Sequence, residues 1–514
     1  MDLSSQNQTP PSTLPASNAS PARNAVSTAG WRSDAGGQPQ NPSSTVYPPP
    51  SKPPTPLSPP GQRPKSPLGT IVPFVVVILL LVAGFFIVRA ILNLIKKPVP
   101  VTLTYWGLWE PESVIKPLID EYQAANPNVK ISYIYQSPRE YRERLQNALS
   151  QGRGPDIFRI HNSWVPMFKS DLDPVPPETY SASEFESVFY PTTKSDLRLA
   201  GSYMAVPLEF DGLAMYVNDD LLAKSGQTVP QTWEDLRSVA LAISVCDSQD
   251  GTCSAGDRIL ISGAALGTAD NVDHWQDILA VLMLQNNVNL NTPTGQPAED
   301  TLSFYTVFTR SDNIWDSTLP NSTPAFAGGK VGIYFAPSWR VFDIQSLNPQ
   351  LKFSVHPLPQ LPIDPTRGEK LVTWASYWAE GVNKKSPLTK QAWDFVKFLS
   401  SKESLQKLYQ QAVASGRAFG EPYSRVDMAS SLASSPYVGP YISQAATARS
   451  WYMASSTYDG ATGINSRLSV YFADAVNGIN QGRSPSEAVK TLSAGVNQVL
   501  SQYGLATPIA PATR

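Results

Sequence analysis

Cysteine and histidine are scarce in this sequence of 514 residues. Only Cys246 and Cys253 are present, and the three histidines, His161, His274 and His356, are far apart. No second cysteine pair is available to complete a zinc site, and no histidine has the spacing of a metal ligand. The sequence therefore predicts no metal centre, and nothing in it indicates another cofactor.

Several motifs of catalytic sites are missing as well. The chain has no Gly-x-Ser-x-Gly turn, no Gly-x-x-x-x-Gly-Lys-Ser/Thr phosphate loop and no His-Glu-x-x-His zinc motif. The protein is therefore not expected to hydrolyse nucleotides. We predict that it is not an enzyme and that it has no catalytic residues.

The body of the chain also lacks an excess of positive charge. The first 97 residues hold 8 of the 40 Lys and Arg and 2 of the 42 Asp and Glu, so the remainder carries 32 against 40, a net charge of −8. Nucleic acids and anionic lipid surfaces select basic proteins. The sequence therefore predicts no nucleic-acid partner.

The two cysteines flank a short polar segment that contains an Asp-Gly pair. Such a pair favours a tight turn, and cysteines seven residues apart suit a small disulfide-closed loop. A disulfide between Cys246 and Cys253 indicates an oxidising compartment outside the cytoplasm. The alternative is a pair of reduced thiols at the surface.

The first part of the chain is almost free of aromatic residues. Its first 68 residues hold 16 of the 48 prolines and only Trp31 and Tyr47 as aromatics. Such a composition cannot bury enough apolar surface to offset the entropy lost on ordering. We expect residues 1–69 to form a disordered tail rich in Pro and Ser.

An apolar run over residues 71–88 comes directly after the tail. Eighteen residues rise about 27 Å as a helix, close to the thickness of a bilayer core. We predict an uncleaved transmembrane signal anchor over residues 70–95, because the run is too long for a signal-peptide core. The protein would then be a single-pass protein of the cell membrane.

Flanking charges do not decide the orientation of this segment. Arg63 and Lys65 precede it, while Arg89, Lys96 and Lys97 come after it, so the count leans slightly toward a cytoplasmic body. The predicted disulfide favours the opposite orientation. We therefore expect the tail in the cytoplasm and the globular body outside it.

The body opens with alternating strand and helix patterns. Residues 101–106, 129–135 and 154–160 have the composition of strands, and residues 112–125 and 139–151 have helical spacing between them. A β-α-β-α-β order predicts a parallel sheet whose ligands bind beyond the carboxyl ends of the strands. Further helices are predicted over residues 232–242, 274–285 (strongly amphipathic) and 389–400, and a strand over residues 330–335.

Several segments resemble the extracellular solute-binding proteins of ABC importers, the family that includes maltose-binding protein. The resemblance is carried, in the same order as in that family, by residues 105–110 (YWGLWE), 154–157 (GPDI), 205–211, 215–222, 229–236 (VPQTWEDL), 326–332 (FAGGKVG) with 338–339, 385–387 and 392–399. Each segment is weak by itself, but their common order extends over some 400 residues.

This resemblance implies an α/β protein with two lobes that close like a clamshell on a small polar ligand, usually a sugar. Lobe 1 is expected over residues 101–208 with a return segment at about 360–400. Lobe 2 is expected over residues 209–359 with C-terminal helices at about 401–505. The implied partners are the ligand and the permease subunits of an ABC transporter, and we expect a monomer.

Eleven of the twelve tryptophans lie in the globular body, several at predicted strand ends or loops. Sugar rings have apolar C–H faces beside hydroxyl groups, so a sugar site needs flat aromatic surfaces with carboxylates at their edges. Trp339 is the first candidate, because the matching segment of the family carries a tryptophan that stacks on sugar. The other predicted ligand-binding residues are Trp106, Trp109, Trp164, Trp374, Tyr377, Glu110, Asp156, Glu209 and Asp211.

Two alternatives fit the same residues. A surface receptor or interaction protein with this fold and no transport coupling would explain the retained anchor and tail. A glycoside hydrolase would use two of the cleft carboxylates as acid and base, although no carboxylate pair lies in a catalytic motif.

Overall fold

The computed structural model describes residues 68–95, 99–248, 251–363, 366 and 370–506. The predicted tail, residues 1–69, lies outside the described residues except for its last two. The chain divides into two compact units, Met1–Leu94 and Ile95–Arg514.

The second unit contains both strands and helices. The strands are β1 (Val101–Gly107), β2 (Val129–Tyr135), β3 (Ile157–His161), β4 (Arg198–Leu199), β5 (Ser202–Tyr203), β6 (Val206–Pro207), β7 (Ala214–Asn218), β8 (Val245–Cys246), β9 (Ile259–Ala264), β10 (Val331–Ala336), β11 (Phe353–His356), β12 (Thr373–Trp374), β13 (Trp378–Val382) and β14 (Ala448–Arg449).

Helix α1 belongs to the first unit, and the others belong to the second. The helices are α1 (Leu68–Ile95), α2 (Glu112–Ala125), α3 (Tyr141–Ser150), α4 (Ala182–Val188), α5 (Thr193–Asp196), α6 (Asp219–Ser225), α7 (Trp233–Ile243), α8 (Trp275–Gln285), α9 (Gln296–Arg310), α10 (Ser322–Ala327), α11 (Arg340–Leu347), α12 (Thr389–Leu399), α13 (Lys402–Ala414), α14 (Ala429–Leu432), α15 (Gly439–Gln444), α16 (Ile464–Asn480) and α17 (Pro485–Gln502).

Helix α1 falls on the predicted anchor and is 28 residues long. Its apolar side chains between residues 74 and 88 are exposed, Phe74 by 72% and Leu81 by 68%. Among the described residues, no helix combines the length and hydropathy required of a bilayer-spanning segment.

The first sheet has the order β2-β1-β3-β13-β6. Strands β2 and β3 both pair in parallel with β1, which confirms the predicted β-α-β-α-β order. Strand β13 pairs antiparallel with β3 and β6. Every residue of β3 is buried, as expected for a central strand covered by helices on both faces. We call this sheet and the helices on it the first lobe.

A second five-stranded sheet has the order β11-β7-β10-β9-β8 and forms the second lobe. Strand β10 is buried throughout and pairs in parallel with β9 and antiparallel with β7. Cys246 lies on the edge strand β8 and is bonded to Cys253, with the two Cα atoms 5.1 Å apart. This cross-link closes a loop at the sheet edge.

Residues 208–213 connect the first sheet to the second. Beside them lies the segment before β13, since Gly212 pairs with Ala375 and the backbone N–H of Ser376 donates to the carbonyl of Asp211. A Cβ atom on Gly212 would collide with the carbonyl oxygen of Trp374, so only glycine allows this approach. The crossing segments therefore run side by side between the lobes.

The helices near the C-terminus divide between the two lobes. Helices α16 and α17 pack on each other and on α9, whereas α13 packs on α2 of the first lobe, where Leu405 and Leu408 are buried. The family resemblance implies that α13 belongs to lobe 2, but its apolar face is covered by α2 of the first lobe. The exact lobe boundaries remain a proposal.

Helix α8 differs from its predicted character. We expected it to be strongly amphipathic, but eight of its residues are buried, Asp277 among them. It packs against α9 and β12, so little of its surface reaches solvent. The buried carboxyl group of Asp277 is hydrogen-bonded by the indole N–H of Trp374 at 2.9 Å.

Candidate functional site

A pocket of about 370 Å³ lies where the crossing segments meet the carboxyl end of β3, within the size range of small-molecule sites. Side chains from both lobes and from the C-terminal part of the chain form its wall: Trp109, His161, Glu209, Asp211, Asp277, Pro337, Trp339, Ser376, Trp378, Arg417, Glu421, Ser455, Ser456 and Tyr458.

Aromatic rings form the first-lobe wall of the pocket. Trp109 lies just after β1 and Trp378 begins β13, and their ring centroids are 5.4 Å apart at 70°. Trp378 also meets His161 edge-on at 5.2 Å and Trp164 at 5.1 Å. Edge-to-face contacts of this kind fix ring orientation. The indole N–H of Trp109 is buried without a hydrogen-bond partner among the described residues, so it is available as a donor.

His161 supports this aromatic wall as a neutral side chain. Its Nδ1 lies 2.7 Å from the hydroxyl of Ser163 and its Nε2 lies 3.0 Å from the hydroxyl of Ser376. Burial lowers the pKa of His161 to about 3, because a charged imidazolium would lose its hydration. His161 therefore brings no positive charge to the pocket.

Trp339 lies on the opposite, second-lobe side, at the start of α11. The guanidinium of Arg340 lies 4.4 Å from the centre of its ring, and His274 meets it edge-on at 5.8 Å. Arg340 also donates to Nε2 of His274 at 3.0 Å and pairs with Asp343 at 2.8 Å. These contacts hold the Trp339 ring in place at the pocket.

Two carboxylates, Glu209 and Asp211, come from the crossing segment. Residues two apart in extended backbone point to the same side, which places both at the pocket. The Asp211 carboxylate accepts from the backbone N–H of Ser338 at 3.1 Å, from its hydroxyl at 2.8 Å and from the N–H of Gly212 at 2.8 Å. Asp211 thus ties the crossing segment to the start of α11.

Burial raises the pKa of Asp211 to about 7, although its hydrogen bonds oppose the shift. An unfolded aspartate has a pKa of about 3.9, so between these values the folded state binds more protons than the unfolded state. Stability should therefore fall as pH rises from about 4 to 7. We expect Asp211→Asn to flatten this fall, measured as the melting temperature against pH.

The exposed Asp300→Asn is a suitable control, expected to leave the slope unchanged. Part of the slope should persist in Asp211→Asn, because burial also raises the pKa of Asp277 to about 6. Parallel profiles for Asp211→Asn and the wild type would contradict the assignment.

Glu209 is 7% exposed, and its carboxylate has no hydrogen bond or ion pair with any described residue. Burial is the main cause that raises its pKa well above the usual range, and the nearby charge of Glu421 adds to it. Glu421 is itself paired with Arg417 at 2.6 Å. Glu209 is therefore the unpaired carboxyl group of the described pocket wall.

Glu110, a predicted ligand-binding residue, lies outside the pocket wall. It is 2% exposed and forms a two-oxygen ion pair with Arg159, at 2.6 and 2.9 Å. Arg159 also pairs with Glu380 at 2.6 Å, and Glu380 accepts from the hydroxyl of Tyr105 at 2.5 Å. This buried network joins β1, β3 and β13 and does not face the ligand space.

Five other predicted residues are also absent from the pocket wall. Trp164 is fully buried, Trp374 is 2% exposed, and the buried Tyr377 donates to Asp196 at 2.9 Å. Asp156 accepts from the backbone of Thr104 at 2.7 Å and links β1 to the start of β3, while Trp106 packs on the core. None of these five side chains lines the pocket, and their role in ligand binding stays a prediction. Trp109, Glu209, Asp211 and Trp339 do line the pocket.

Sequence reasoning did not select several wall residues, Trp378 above all. The antiparallel pairing that sets the start of β13 beside the carboxyl end of β3, opposite His161, is seen only in the structure. No local sequence pattern indicates that Arg417, Glu421 or residues 455–458 line a pocket. Among the described residues, no group of three metal-ligating side chains is found.

The wall segment at residues 455–458 is held from both lobes. Ser455 donates to the Asp277 carboxylate and lies 2.7 Å from Nδ1 of His274. Just beyond it, the carbonyl of Asp459 accepts from the side chain of Arg142 on α3 at 2.8 Å. Ser456 and Tyr458 have positive φ angles of 56° and 51°, which is unusual for these residue types.

Known proteins resemble this chain in both sequence and fold. Residues 107–406 match the model of the bacterial extracellular solute-binding proteins. Maltotriose-binding protein of Pyrococcus abyssi (strain GE5 / Orsay) is 23% identical over 321 residues, which span 59% of this chain and 63% of the relative's length.

Solved structures share the fold. The sugar-binding protein MalE of Xanthomonas citri aligns with a TM-score of 0.61 at 17% identity, covering 78% of this chain and 98% of that one. The maltotriose-binding protein of Thermus thermophilus gives 0.56 at 15% identity, covering 77% and 100%. Members of the family are binding proteins and not enzymes, and their globular part lies outside the cytoplasm. Since the family model covers more than half of the sequence, this chain belongs to the bacterial extracellular solute-binding proteins.

Proposed function

We propose that this protein binds a saccharide in the pocket between its lobes. The observation that carries the proposal is the placement of indole rings on both sides, Trp109 and Trp378 on one lobe and Trp339 on the other, with carboxylates between them. Flat apolar rings stack on the C–H faces of a sugar, and carboxylates accept strong hydrogen bonds from its hydroxyls. The names of the relatives, which refer to maltotriose and to sugar, agree with this class of ligand.

Binding would be coupled to closure of the lobes. Trp339 and the Trp109–Trp378 pair belong to different lobes, so a ligand that stacks on both favours the closed form. The ligand shifts the population by the contacts that only that form provides. The crossing segment that carries Glu209 and Asp211 is then both hinge and binding surface.

A titration of the full-length purified chain tests the proposal. Maltotriose, mannotriose, cellotriose and chito-oligosaccharides are compared by isothermal titration calorimetry, with free amino acids as a control class. We expect at least one saccharide to bind with a micromolar or lower dissociation constant and to raise the melting temperature. Binding of amino acids with no response to any saccharide would contradict the proposal.

We further propose that the protein is anchored in the cell membrane through residues 70–95, with the tail in the cytoplasm and the globular body outside. The apolar run over residues 71–88 and the disulfide between Cys246 and Cys253 support this topology. Carbonate-washed membranes should retain the protein, and external protease should digest the body of intact spheroplasts. Release by carbonate would argue against the anchor.

Delivery of the ligand to the permease of an ABC transporter is the proposed purpose of binding, with the receptor acting as a monomer. Deleting the gene should then abolish high-affinity uptake of the labelled saccharide. Binding without any loss of uptake would instead favour a receptor that has the fold and no transport coupling.

A further inference from the structure

The described pocket wall has more negative than positive groups. Four carboxylates line it, Glu209, Asp211, Asp277 and Glu421, against one guanidinium, that of Arg417. Arg417 is committed to Glu421 at 2.6 Å and also lies over the ring of Phe342 at 4.5 Å. The described wall therefore has more acidic groups than basic ones at the place where a ligand would sit.

Protein groups already satisfy two of these carboxylates. Asp211 accepts three hydrogen bonds, from Ser338 and Gly212. Asp277 accepts from the indole N–H of Trp374 at 2.9 Å, from the backbone N–H of Ser455 at 3.1 Å and from the hydroxyl of Ser455. Neither needs a ligand to complete its surroundings.

Glu209 is different. It is more than nine-tenths buried, lines the pocket, and has no partner among the described residues. The guanidinium of the nearby Arg159 does not pair with Glu209, because it already forms ion pairs with Glu110 and Glu380. A buried carboxylate without a partner is costly, so a pocket that retains one is suited to a ligand that supplies the missing charge.

We propose that the ligand is a cationic saccharide, an amino sugar or amino-oligosaccharide, whose ammonium group pairs with Glu209 beside the indole rings. This inference rests on the proposed saccharide function and narrows its ligand class. An ammonium group is attracted both by a carboxylate and by the faces of Trp109, Trp378 and Trp339. A neutral hydroxyl would offer Glu209 one hydrogen bond and no charge.

The electrostatics around Glu209 agree with a cationic ligand. Burial and the charges of Glu421, Glu110 and Glu380 raise its pKa, and Arg159 alone among its named neighbours lowers it. An ammonium ion in contact would reverse that balance and favour the ionised carboxylate. Nearby Asp211, whose pKa is about 7, would be stabilised in its ionised form in the same way.

The test compares ligands that differ at one position of each ring. Cellotriose and the β-1,4 trimer of glucosamine share a backbone and differ by a hydroxyl or an ammonium at C2, and the trimer of N-acetylglucosamine is the uncharged amide control. Titration calorimetry of the full-length chain at pH 6 and low salt should show the glucosamine trimer binding at least tenfold more tightly than cellotriose. Because Glu209 is buried, this preference should persist at high salt, whereas a preference that arises from exposed surface charges would be lost by screening.

Three variants locate the effect. Glu209→Gln should reduce the preference for the glucosamine trimer by about tenfold, Glu209→Asp should retain part of it, and the exposed Glu112→Gln should leave it unchanged. Glu209→Gln replaces a buried carboxyl group that has no partner among the described residues by a neutral amide of the same shape, so its melting temperature should equal or exceed that of the wild type. This result would separate loss of binding from loss of folding.

The outcomes distinguish this inference from the proposed function. If neutral trisaccharides bind and the glucosamine trimer is not preferred, the proposal of a cationic ligand is wrong and the proposed saccharide function stands. A preference that survives in Glu209→Gln would also overturn the assignment to Glu209. If spermidine binds and no saccharide does, the saccharide function itself is wrong.

Discussion

Replacing Arg159 by methionine is expected to lower the free energy of unfolding by about 3–5 kcal/mol, the usual loss when one partner of a buried ion pair is removed. The side chain of Arg159 is 1% exposed and pairs with Glu110 and Glu380, both at 2.6 Å. Without the guanidinium, two buried carboxyl groups face each other with no cation. The urea midpoint of the full-length chain measures the effect.

The matched control for this prediction is Lys407→Met. Lys407 pairs with Glu121 at 2.7 Å, but both side chains are about half exposed. Such a pair contributes about 0–1 kcal/mol, so the urea midpoint should hardly change. If Arg159→Met were no more destabilising than Lys407→Met, the buried network would not stabilise the first sheet as described.

Replacing Trp339 by alanine should weaken saccharide binding about tenfold to a hundredfold. Truncation of a buried aromatic anchor commonly costs about 2 kcal/mol or more, and each 1.4 kcal/mol is a factor of ten in the dissociation constant. Trp339 is the second-lobe ring of the pocket, so its loss removes contacts that favour the closed form. Calorimetric titration with the saccharide that binds most tightly measures the change.

Trp106→Ala is the control that distinguishes a loss of ligand contact in the pocket from a loss of packing in the hydrophobic core. Trp106 was predicted as a ligand-binding residue, yet it packs on the hydrophobic core and is absent from the pocket wall. Its truncation should lower the melting temperature and leave the dissociation constant within about twofold. If both variants weakened saccharide binding equally, the loss of affinity would reflect reduced stability of the fold rather than a lost contact with Trp339.

The secondary structure could be predicted where one face of an element is apolar. Helix α2 has the predicted bounds, because Val114, Leu118, Ile119 and Tyr122 recur at helical spacing and are all buried. Strand β2 likewise spans the predicted residues 129–135. Helix α8 could not be predicted in this way. Its polar residue Asp277 is buried and accepts hydrogen bonds from Trp374 and Ser455, and no local sequence pattern indicates these partners.

The binding role of a tryptophan was harder to infer. Trp164 and Trp378 both occur at strand ends, but Trp164 is buried against Tyr141 and Phe168 whereas Trp378 remains partly exposed at the pocket. The choice between them depends on which side chains cover each ring. Those side chains come from distant parts of the sequence.

By itself, the sequence determined the chain's α/β character, its family and the aromatic and acidic composition of its site, because periodicity and motif order are properties of the residue order along the chain. Only the tertiary structure decided which of those residues form the pocket. It brought Arg159 to Glu110 and Glu380, left Glu209 without a partner among the residues that the structure describes, and placed residues 417–421 and 455–458 beside the crossing segment. The physical reason is that burial and charge pairing depend on distance in space, which the order of residues along the chain does not specify.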